Sequence, residues 1–549
     1  MAEELVSAAD ENRKAAKATG KIGIAVMLSR ILGLIRDIFM VRLFGTSLLA
    51  DCFNLAFKIP NLLRDLFAEG ALSQAFVTTF SKRLKEEGET SAWLLANRVL
   101  SLAVVVMSGV TIVGVLLAPW IVDLILSFAD QSFGPEQREL IVLLARIMYP
   151  FILLVSISAL VMGMLNAKQV FGMPALASCF FNLGCIIGGG SLGYWMDPQW
   201  GEKSLIGISI GVLIGGMGQL VVQFPSLRRV GFRLQWDRLW SDSGVKKIIA
   251  LMGPAMIAAS AVQVNVMVNA MFATSTGEGG VSALNYAFRL MQLPIGMFGV
   301  AVATITLPAL SRAAVGGIGR EFSPTLARGL NLVTILVLPC AVGLSLLATP
   351  LVAMIFKGGD MHHSSTSMIA GALQCYGYGL VFYSWIKIVQ PAFYAIDKRW
   401  VPMVISFIAM GLNFSLNWYF VRVMQWGHES LALTTSLLAV VNFLLLYGML
   451  HRLVGGLSIH SLWSTLWRCA IAAGWMGALC WLADEYLFVQ LDGLSWVMRC
   501  LVLSAVIGVA AALYFTACYL LGVRETRDCL GMVLRRVPGL KRFAPGAGK

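Results

Sequence analysis

The chain has 549 residues, of which 58% are hydrophobic and only 13% are charged, and its formal net charge is +13. Soluble domains are roughly 45–50% apolar and about 25% charged, so this composition excludes a soluble protein and predicts a polytopic membrane protein. The ten cysteines and five histidines form no CxxC, HExxH or other metal-ligand spacing, and no nucleophile or phosphate-loop motif is present. We therefore predict neither an enzyme site nor a bound metal or cofactor.

Fourteen stretches are long and apolar enough to span a bilayer, which requires about 20 mostly apolar residues. No long polar domain interrupts them, so we predict an all-α polytopic fold. In chain order the predicted spans cover residues 21–44, 48–80, 93–120, 139–166, 172–196, 204–226, 247–273, 281–310, 325–355, 366–394, 400–421, 430–451, 463–484 and 496–522.

Basic residues alternate from loop to loop. If the N-terminus is cytoplasmic, the inside segments include the basic stretches 82–85 and 228–247 and the basic tail 523–549, whereas the outside loops 130–139 and 484–493 hold few Lys or Arg. Because positive residues accumulate on the cytoplasmic side, this pattern predicts that both termini are cytoplasmic. It also explains the net charge without a nucleic-acid partner.

A short internal repeat occurs at a shift of 231 residues, where Asn54-Leu-Ala-Phe-Lys-Ile aligns with Asn285-Tyr-Ala-Phe-Arg-Leu. It pairs span two with span eight, which predicts two six-span lobes of the same orientation related by a pseudo-two-fold axis. Transporters with parallel repeats hold their substrate between the halves. The predicted organisation is an N-terminal cytoplasmic segment (1–20), an N-lobe (21–226), a linker (227–246), a C-lobe (247–451), two extra helices (452–522) and a basic tail (523–549).

Charged residues inside the predicted spans concentrate in spans one, two and eight. A charge in hydrocarbon costs at least about 2.5–3.5 kcal/mol, so these spans are predicted to line a polar cavity. The arginines there outnumber their obvious acidic partners. The planar guanidinium group of arginine can donate two parallel hydrogen bonds to a phosphate group, so we predict a cationic central cavity for a phosphate or pyrophosphate group. The predicted substrate-binding residues are Arg30, Arg36, Arg64 and Arg289.

The acidic residues of these spans fit a supporting or gating role. Asp37 lies seven residues after Arg30 and shares its helix face, while Asp51 and Glu69 either hold the arginines in place or become protonated during a cycle. No role is assigned to Lys58. A plainer interpretation, in which each charge is neutralised by a neighbour or reaches the interface, suits arginines near span ends such as Arg98.

Three segments resemble the signature segments of the MurJ (MviN) family: SRILGLIRD at 29–37, ADCFNLAFKIPNLLRDLFAEGALSQAF at 50–76 and NYAFRLMQLPIGMFGVAVATITLPALSR at 285–312. That family consists of lipid II flippases within the multidrug/oligosaccharidyl-lipid/polysaccharide (MOP) exporter superfamily. The resemblance implies a multi-pass protein of the bacterial plasma (inner) membrane. Its implied function is to move undecaprenyl-pyrophosphate-linked peptidoglycan precursor from the inner to the outer leaflet by alternating access.

The resemblance also carries residue roles. It places the family's essential arginines on the four arginines above, its span-two acids on Asp51 and Glu69, and a small polar residue on Ser282, and it makes spans thirteen and fourteen a groove for the lipid tail. Two positions depart from relatives that carry an acid there, because this chain has Phe288 and Gln292.

Some family members hold a sodium ion between spans seven, eleven and twelve. The corresponding positions here are Asn269, Asn413, Asn417 and Thr435. A hard cation prefers charged oxygen ligands, so the amides argue against sodium binding and leave the energy source open.

We expect a monomer that binds lipid II and membrane lipids, and partners among cell-wall synthesis proteins stay open. The alternative function is another MOP-type exporter, either a polysaccharide-lipid flippase or a cation-coupled multidrug antiporter. A drug antiporter would favour acidic residues in the cavity, and the excess of arginine argues against it.

Overall fold

The computed structural model describes residues 25, 27–66, 72–315, 321–356, 363–457, 459–491, 495–523 and 525–526. Every regular element within these ranges is a helix, which confirms the all-α prediction. Among the described residues, ten helices are long and apolar enough to cross a membrane. The count of fourteen spans stays a prediction. Glu69 lies outside the described residues.

The chain divides into two compact units, Met1–Ser282 and Ala283–Lys549. The helices of the first unit are α1 (27–44), α2 (Leu48–Arg64), α3 (Ser73–Glu86), α4 (Glu89–Ile125), α5 (Pro135–Met148), α6 (Phe151–Ala167), α7 (Gly172–Leu183), α8 (Gly190–Met196), α9 (Glu202–Val221), α10 (Phe224–Arg229) and α11 (Ser243–Ala273). Helix α12 (Gly280–Pro294) begins at the end of this unit.

The second unit continues α12 and contains the remaining helices. These are α13 (Val300–Val315), α14 (Phe322–Leu346), α15 (Ala348–Phe356), α16 (His363–Ala395), α17 (Trp400–Asn417), α18 (Glu429–Val454), α19 (Ile459–Leu482) and α20 (Trp496–Leu520). The predicted lobe boundaries remain a prediction.

Helices α3, α4 and α6 share one apolar core in the first unit. Phe76 and Phe80 of α3 stack with ring centroids 5.3 Å apart, and Phe80 lies 5.4 Å from the ring of Trp93 on α4. Both phenylalanines are fully buried, in the same core as Leu160 and Met164 of α6. This core includes Leu95 and Val99 of α4 and so fixes the part of α4 that carries Arg98, described below.

Helix α9 packs through glycines against the stretch Gly184–Gly189, which connects α7 to α8. A Cβ on Gly211 would lie 2.2 Å from the Cα of Gly189, and one on Gly184 would lie 2.5 Å from the Cα of Gly215. Backbones can approach this closely only where both residues are small. The stretch Gly184–Gly189 is also π-helical, so the glycines of predicted span five provide both a close contact and a local change of helix geometry.

Helices α14, α16 and α18 form the centre of the second unit, where Trp385 of α16 donates a hydrogen bond to the hydroxyl of Thr334 on α14 (2.9 Å). The ring of Trp385 also lies 4.7 Å from that of Phe443 on α18. Helices α19 and α20 pack on each other and on α14 around the buried Tyr514.

Candidate functional site

Helix α1 carries two of the predicted arginines in different environments. Arg30 is exposed, whereas the side chain of Arg36 is only 13% exposed and that of Asp37 is 9% exposed. Arg36 donates from Nε (3.2 Å) and Nη2 (2.9 Å) to Oδ1 of Asp37, and its guanidinium lies 5.8 Å from the ring centroid of Phe181. A partly buried guanidinium thus has a carboxylate and an aromatic face to compensate its charge.

Helix α1 is held against α7 at Gly33, one turn from both Arg30 and Arg36. A Cβ on Gly33 would lie 3.7 Å from Nδ2 of Asn182, and that amide donates to the carbonyl of Ser29 at 3.2 Å. The small residue therefore admits a polar side chain that fixes the position of the arginine-bearing helix.

Helix α2 ends in a second arginine–aspartate pair of the same kind. Arg64 donates from Nε (3.0 Å) and Nη2 (2.7 Å) to Oδ1 of Asp65. These side chains are 22% and 32% exposed, so the pair is more accessible than the pair on α1. Lys58, six residues earlier on α2, is half-buried.

Asp51 is fully buried and binds the start of α12. Its Oδ2 accepts a hydrogen bond from the amide of Gly279 and its Oδ1 accepts one from the amide of Ser282, both at 2.7 Å. Asn54, one turn along α2, donates to Oγ of Ser282 at 3.0 Å. Asp51 and Ser282 are thus brought together, although they lie 231 residues apart at equivalent positions of the internal repeat. Although it belongs to α2, Asp51 therefore caps the N-terminus of α12, because its side chain accepts hydrogen bonds from backbone amides there.

Arg289 is exposed on α12, two turns beyond Ser282. The preceding Phe288 packs edge-on against Tyr376 with ring centroids 5.5 Å apart. Gln292, the second departure, is exposed one turn further along the helix. Arg289 is therefore flanked on α12 by an aromatic side chain that packs against Tyr376 and by a neutral amide.

The residues considered for an ion site fall on three helices. Asn413 and Asn417 are fully buried one turn apart on α17, which packs against α18. Thr435 on α18 donates to the carbonyl of Leu431 at 2.7 Å, and Asn269 lies on α11 in the first unit. No cluster of three or more His, Cys, Asp or Glu that could hold a metal occurs in the described part of the chain. The expectation of no sodium binding stays a prediction.

An apolar groove of about 540 Å³ lies between α14 and α19 in the second unit. Small residues of α19 form its floor, and aliphatic side chains of α14 form one wall. The lining residues are Leu338, Val342, Leu346, Ala470, Ala473, Gly474, Gly477, Ala478 and Trp481. Its lining is aliphatic or small except for Trp481.

One charged cluster was not identified from the sequence. Arg98 of α4 pairs with Asp237 (2.9 Å) and Asp242 (2.5 Å), and Arg83 of α3 pairs with Asp242 (2.8 Å). The available signal was that Asp237 and Asp242 are the two acids in the basic stretch 228–247. The plainer interpretation of Arg98, neutralisation by neighbours, holds.

The described helices, ten of them long and apolar enough to cross a bilayer, define a helical multi-pass membrane protein. Residues 40–503 match the family model described as "Lipid II flippase MurJ". The chain belongs to this family.

A relative from Vibrio cholerae, named probable lipid II flippase MurJ, is 34% identical over 92% of this chain and 96% of its own length. A solved structure of lipid II flippase MurJ in an inward closed conformation has a TM-score of 0.71 at 23% identity, covering 90% of this chain and 98% of that one. An inward-facing MATE-family multidrug transporter of the MOP superfamily has a TM-score of 0.64 at 15% identity, covering 79% and 98%. The chain thus shares the fold of both solved structures, and the family match favours the flippase over the drug antiporter.

Proposed function

We propose that this chain is a lipid II flippase that moves undecaprenyl-pyrophosphate-linked peptidoglycan precursor from the inner to the outer leaflet by alternating access. The observation that carries the proposal is its membership of the MurJ family over residues 40–503. In this proposal the chain works as a monomer in the bacterial inner membrane with both termini in the cytoplasm.

The substrate pyrophosphate binds Arg30, Arg36, Arg64 and Arg289. The two Arg–Asp pairs support this role because each holds a guanidinium in a fixed orientation before substrate arrives. The carboxylate also compensates a charge that would be costly to leave alone in a partly buried site. Pyrophosphate oxygens can accept the same pair of guanidinium hydrogen bonds as the carboxylate and carry more negative charge. Pyrophosphate therefore displaces the aspartate from the arginine.

The lipid tail stays in hydrocarbon during the movement. Helices α19 and α20 offer an apolar surface to it, and the groove beside α19 is lined by aliphatic and small residues with a single large aromatic, Trp481. Asp51 contributes by fixing the first turn of α12, the helix that carries Arg289.

A lipid II translocation assay in proteoliposomes tests the arginine roles. We expect Arg30→Ala, Arg36→Ala, Arg64→Ala and Arg289→Ala each to lower the rate by about ten- to a hundred-fold, since a charged hydrogen bond contributes about 1.5–3 kcal/mol. The control is Arg138→Ala, which removes an exposed pair with Asp123 and should leave the rate unchanged. A normal rate for Arg289→Ala would refute the arginine mechanism.

A further inference from the structure

The segment 230–242, between α10 and α11, is held along α4 by hydrogen bonds to its backbone. Asn97 of α4 donates from Nδ2 to the carbonyl of Arg233 (3.1 Å) and accepts at Oδ1 from the amide of Gln235 (2.9 Å). The amide of Asp237 donates to Oγ of Ser101 at 3.2 Å, one turn further along α4. The segment therefore has a fixed inner edge although it contains no helix or strand.

Both acids of this segment face inward and are neutralised there. Asp237 and Asp242 share Arg98, and Asp242 also binds Arg83. A backbone hydrogen bond from Leu239, helped by Arg98, lowers the pKa of Asp237 below its usual value. Burial raises the pKa of Asp242, but hydrogen bonds led by that from Arg83 outweigh burial and lower it. Both carboxylates thus stay ionised, and their negative charges compensate the positive charges of Arg83 and Arg98.

The outer face of the segment is apolar and cationic. Leu234, Trp236 and Leu239 are 68%, 53% and 53% exposed, although the segment lies outside the apolar membrane-length helices. Exposed cations lie between and beside them. They are Arg228, Arg229, Arg233, Arg238, Lys246 and Lys247.

This face matches one kind of partner. The segment follows directly on the apolar helix Glu202–Arg229, which is long enough to cross the membrane, so it lies at the membrane surface. Tryptophan and leucine are stable at the boundary between head groups and acyl chains, and arginine pairs there with lipid phosphate. A folded acidic protein would match the arginines and lysines but would not need three apolar side chains at this depth.

We propose that the segment 230–242 is an interfacial anchor that binds anionic phospholipid. In it, Arg233 and Arg238 contact lipid phosphate, and Leu234, Trp236 and Leu239 enter the head-group boundary. The inward pairing of Asp237 and Asp242 leaves the outer face without a competing negative charge. This anchor is distinct from the flipping site and does not depend on the proposed function.

Amide hydrogen exchange of the full-length protein in a neutral detergent tests the anchor. The protein is titrated with short-chain phosphatidylglycerol, with short-chain phosphatidylcholine, or with inorganic phosphate, and exchange is followed in peptides covering residues 233–239. We expect phosphatidylglycerol to slow exchange saturably, phosphatidylcholine to act only at much higher concentration, and inorganic phosphate to have no effect.

The variant Arg233→Gln/Arg238→Gln should need about thirty-fold more phosphatidylglycerol, since each cation near an anionic surface contributes roughly five-fold in affinity. A matched control, Lys82→Gln/Lys85→Gln, removes the same charge from exposed lysines of α3 and should bind as the unaltered protein does. Trp236→Gln keeps the charge and should also weaken binding.

Three results would overturn the proposal. One is equal slowing by phosphatidylcholine and phosphatidylglycerol, and another is slowing by inorganic phosphate alone. The third is an equal loss of affinity in the α3 control, which would mean that only net charge matters. Unchanged exchange in the α4 peptides verifies that each variant remains folded.

Discussion

Asp51 shows how a buried charge can serve the framework of a transporter. Its two oxygens are each bound by a backbone amide, and the amide of Gly279 is available because that residue has φ +83, a conformation that favours glycine. A Cβ on Gly279 would also lie 2.3 Å from the carbonyl oxygen of Thr46. The carboxylate and the glycine together fix the turn that leads into α12.

Replacing Asp51 by alanine should lower stability strongly. The change leaves the amides of Gly279 and Ser282 buried without acceptors, and each orphaned donor costs about 1–3 kcal/mol. We expect a lower apparent Tm for the purified protein in detergent, with Asp51→Asn intermediate because the amide retains one acceptor. Ser282→Ala is the comparison variant, since it removes the hydroxyl hydrogen bonds with Asn54 and Asp51 but keeps both backbone amides bound to Asp51. A Tm for Asp51→Ala equal to that of Ser282→Ala would exclude the capping role.

At the scale of elements, hydropathy located the ten helices that are long and apolar enough to cross a membrane, because a span that faces lipid is continuously apolar. The composition of predicted span two also signalled a special segment, and α2 indeed ends at Arg64 in an arginine–aspartate pair. Partners distant in sequence could not be predicted. The residues around Asp51 do not indicate that it accepts a hydrogen bond from the amide of Ser282. The sequence of α4 likewise does not indicate that Arg98 pairs with Asp237.

Glycine contacts between helices are a further feature that sequence suggests but does not locate. The stretch 172–196 contains four glycines between residues 184 and 190, and small residues permit close helix packing. The structure identifies which glycines touch: Gly189 meets Gly211, and Gly184 meets Gly215. The partner glycines on α9 are spaced four residues apart, so one face of α9 lies against α7 and α8.

Replacing Gly211 by alanine should push α9 away from the stretch Gly184–Gly189. Its Cβ would lie 2.2 Å from a backbone atom that has no freedom to rotate away, and such overpacking costs about 1–3 kcal/mol. Gly109→Ala on α4 is the matched control, because nothing lies within 4 Å of its Cβ and helix propensity favours alanine by about 1 kcal/mol. Thermal unfolding of both variants measures the difference. Equal or higher stability for Gly211→Ala would mean that the helices are not in close contact.

For the whole molecule, the number of membrane crossings decides the side on which each loop lies. Helix α16 illustrates why composition alone leaves the number open. It is 33 residues long yet is not among the ten apolar helices. Its side chains Trp385, Ile388 and Phe393 are buried by neighbouring helices. A helix shielded from lipid by protein does not need a fully apolar surface, so it can cross the membrane while carrying polar residues.

Reporter fusions test whether α16 and α11 cross. Fourteen spans with a cytoplasmic N-terminus predict that a fusion after Ser241 is cytoplasmic and one after Thr276 is periplasmic, because α11 lies between them. They likewise predict a periplasmic reporter after Phe356 and a cytoplasmic one after Lys398, on either side of α16. A fusion after Lys549 should be cytoplasmic, since an even number of crossings returns the chain to its starting side. Paired reporters, one active only in the cytoplasm and one only outside it, give the measurement. If reporters before and after α16 were active on the same side, α16 would not cross and the number of crossings would be odd. The basic tail would then lie outside, which contradicts the charge pattern from which the orientation was inferred.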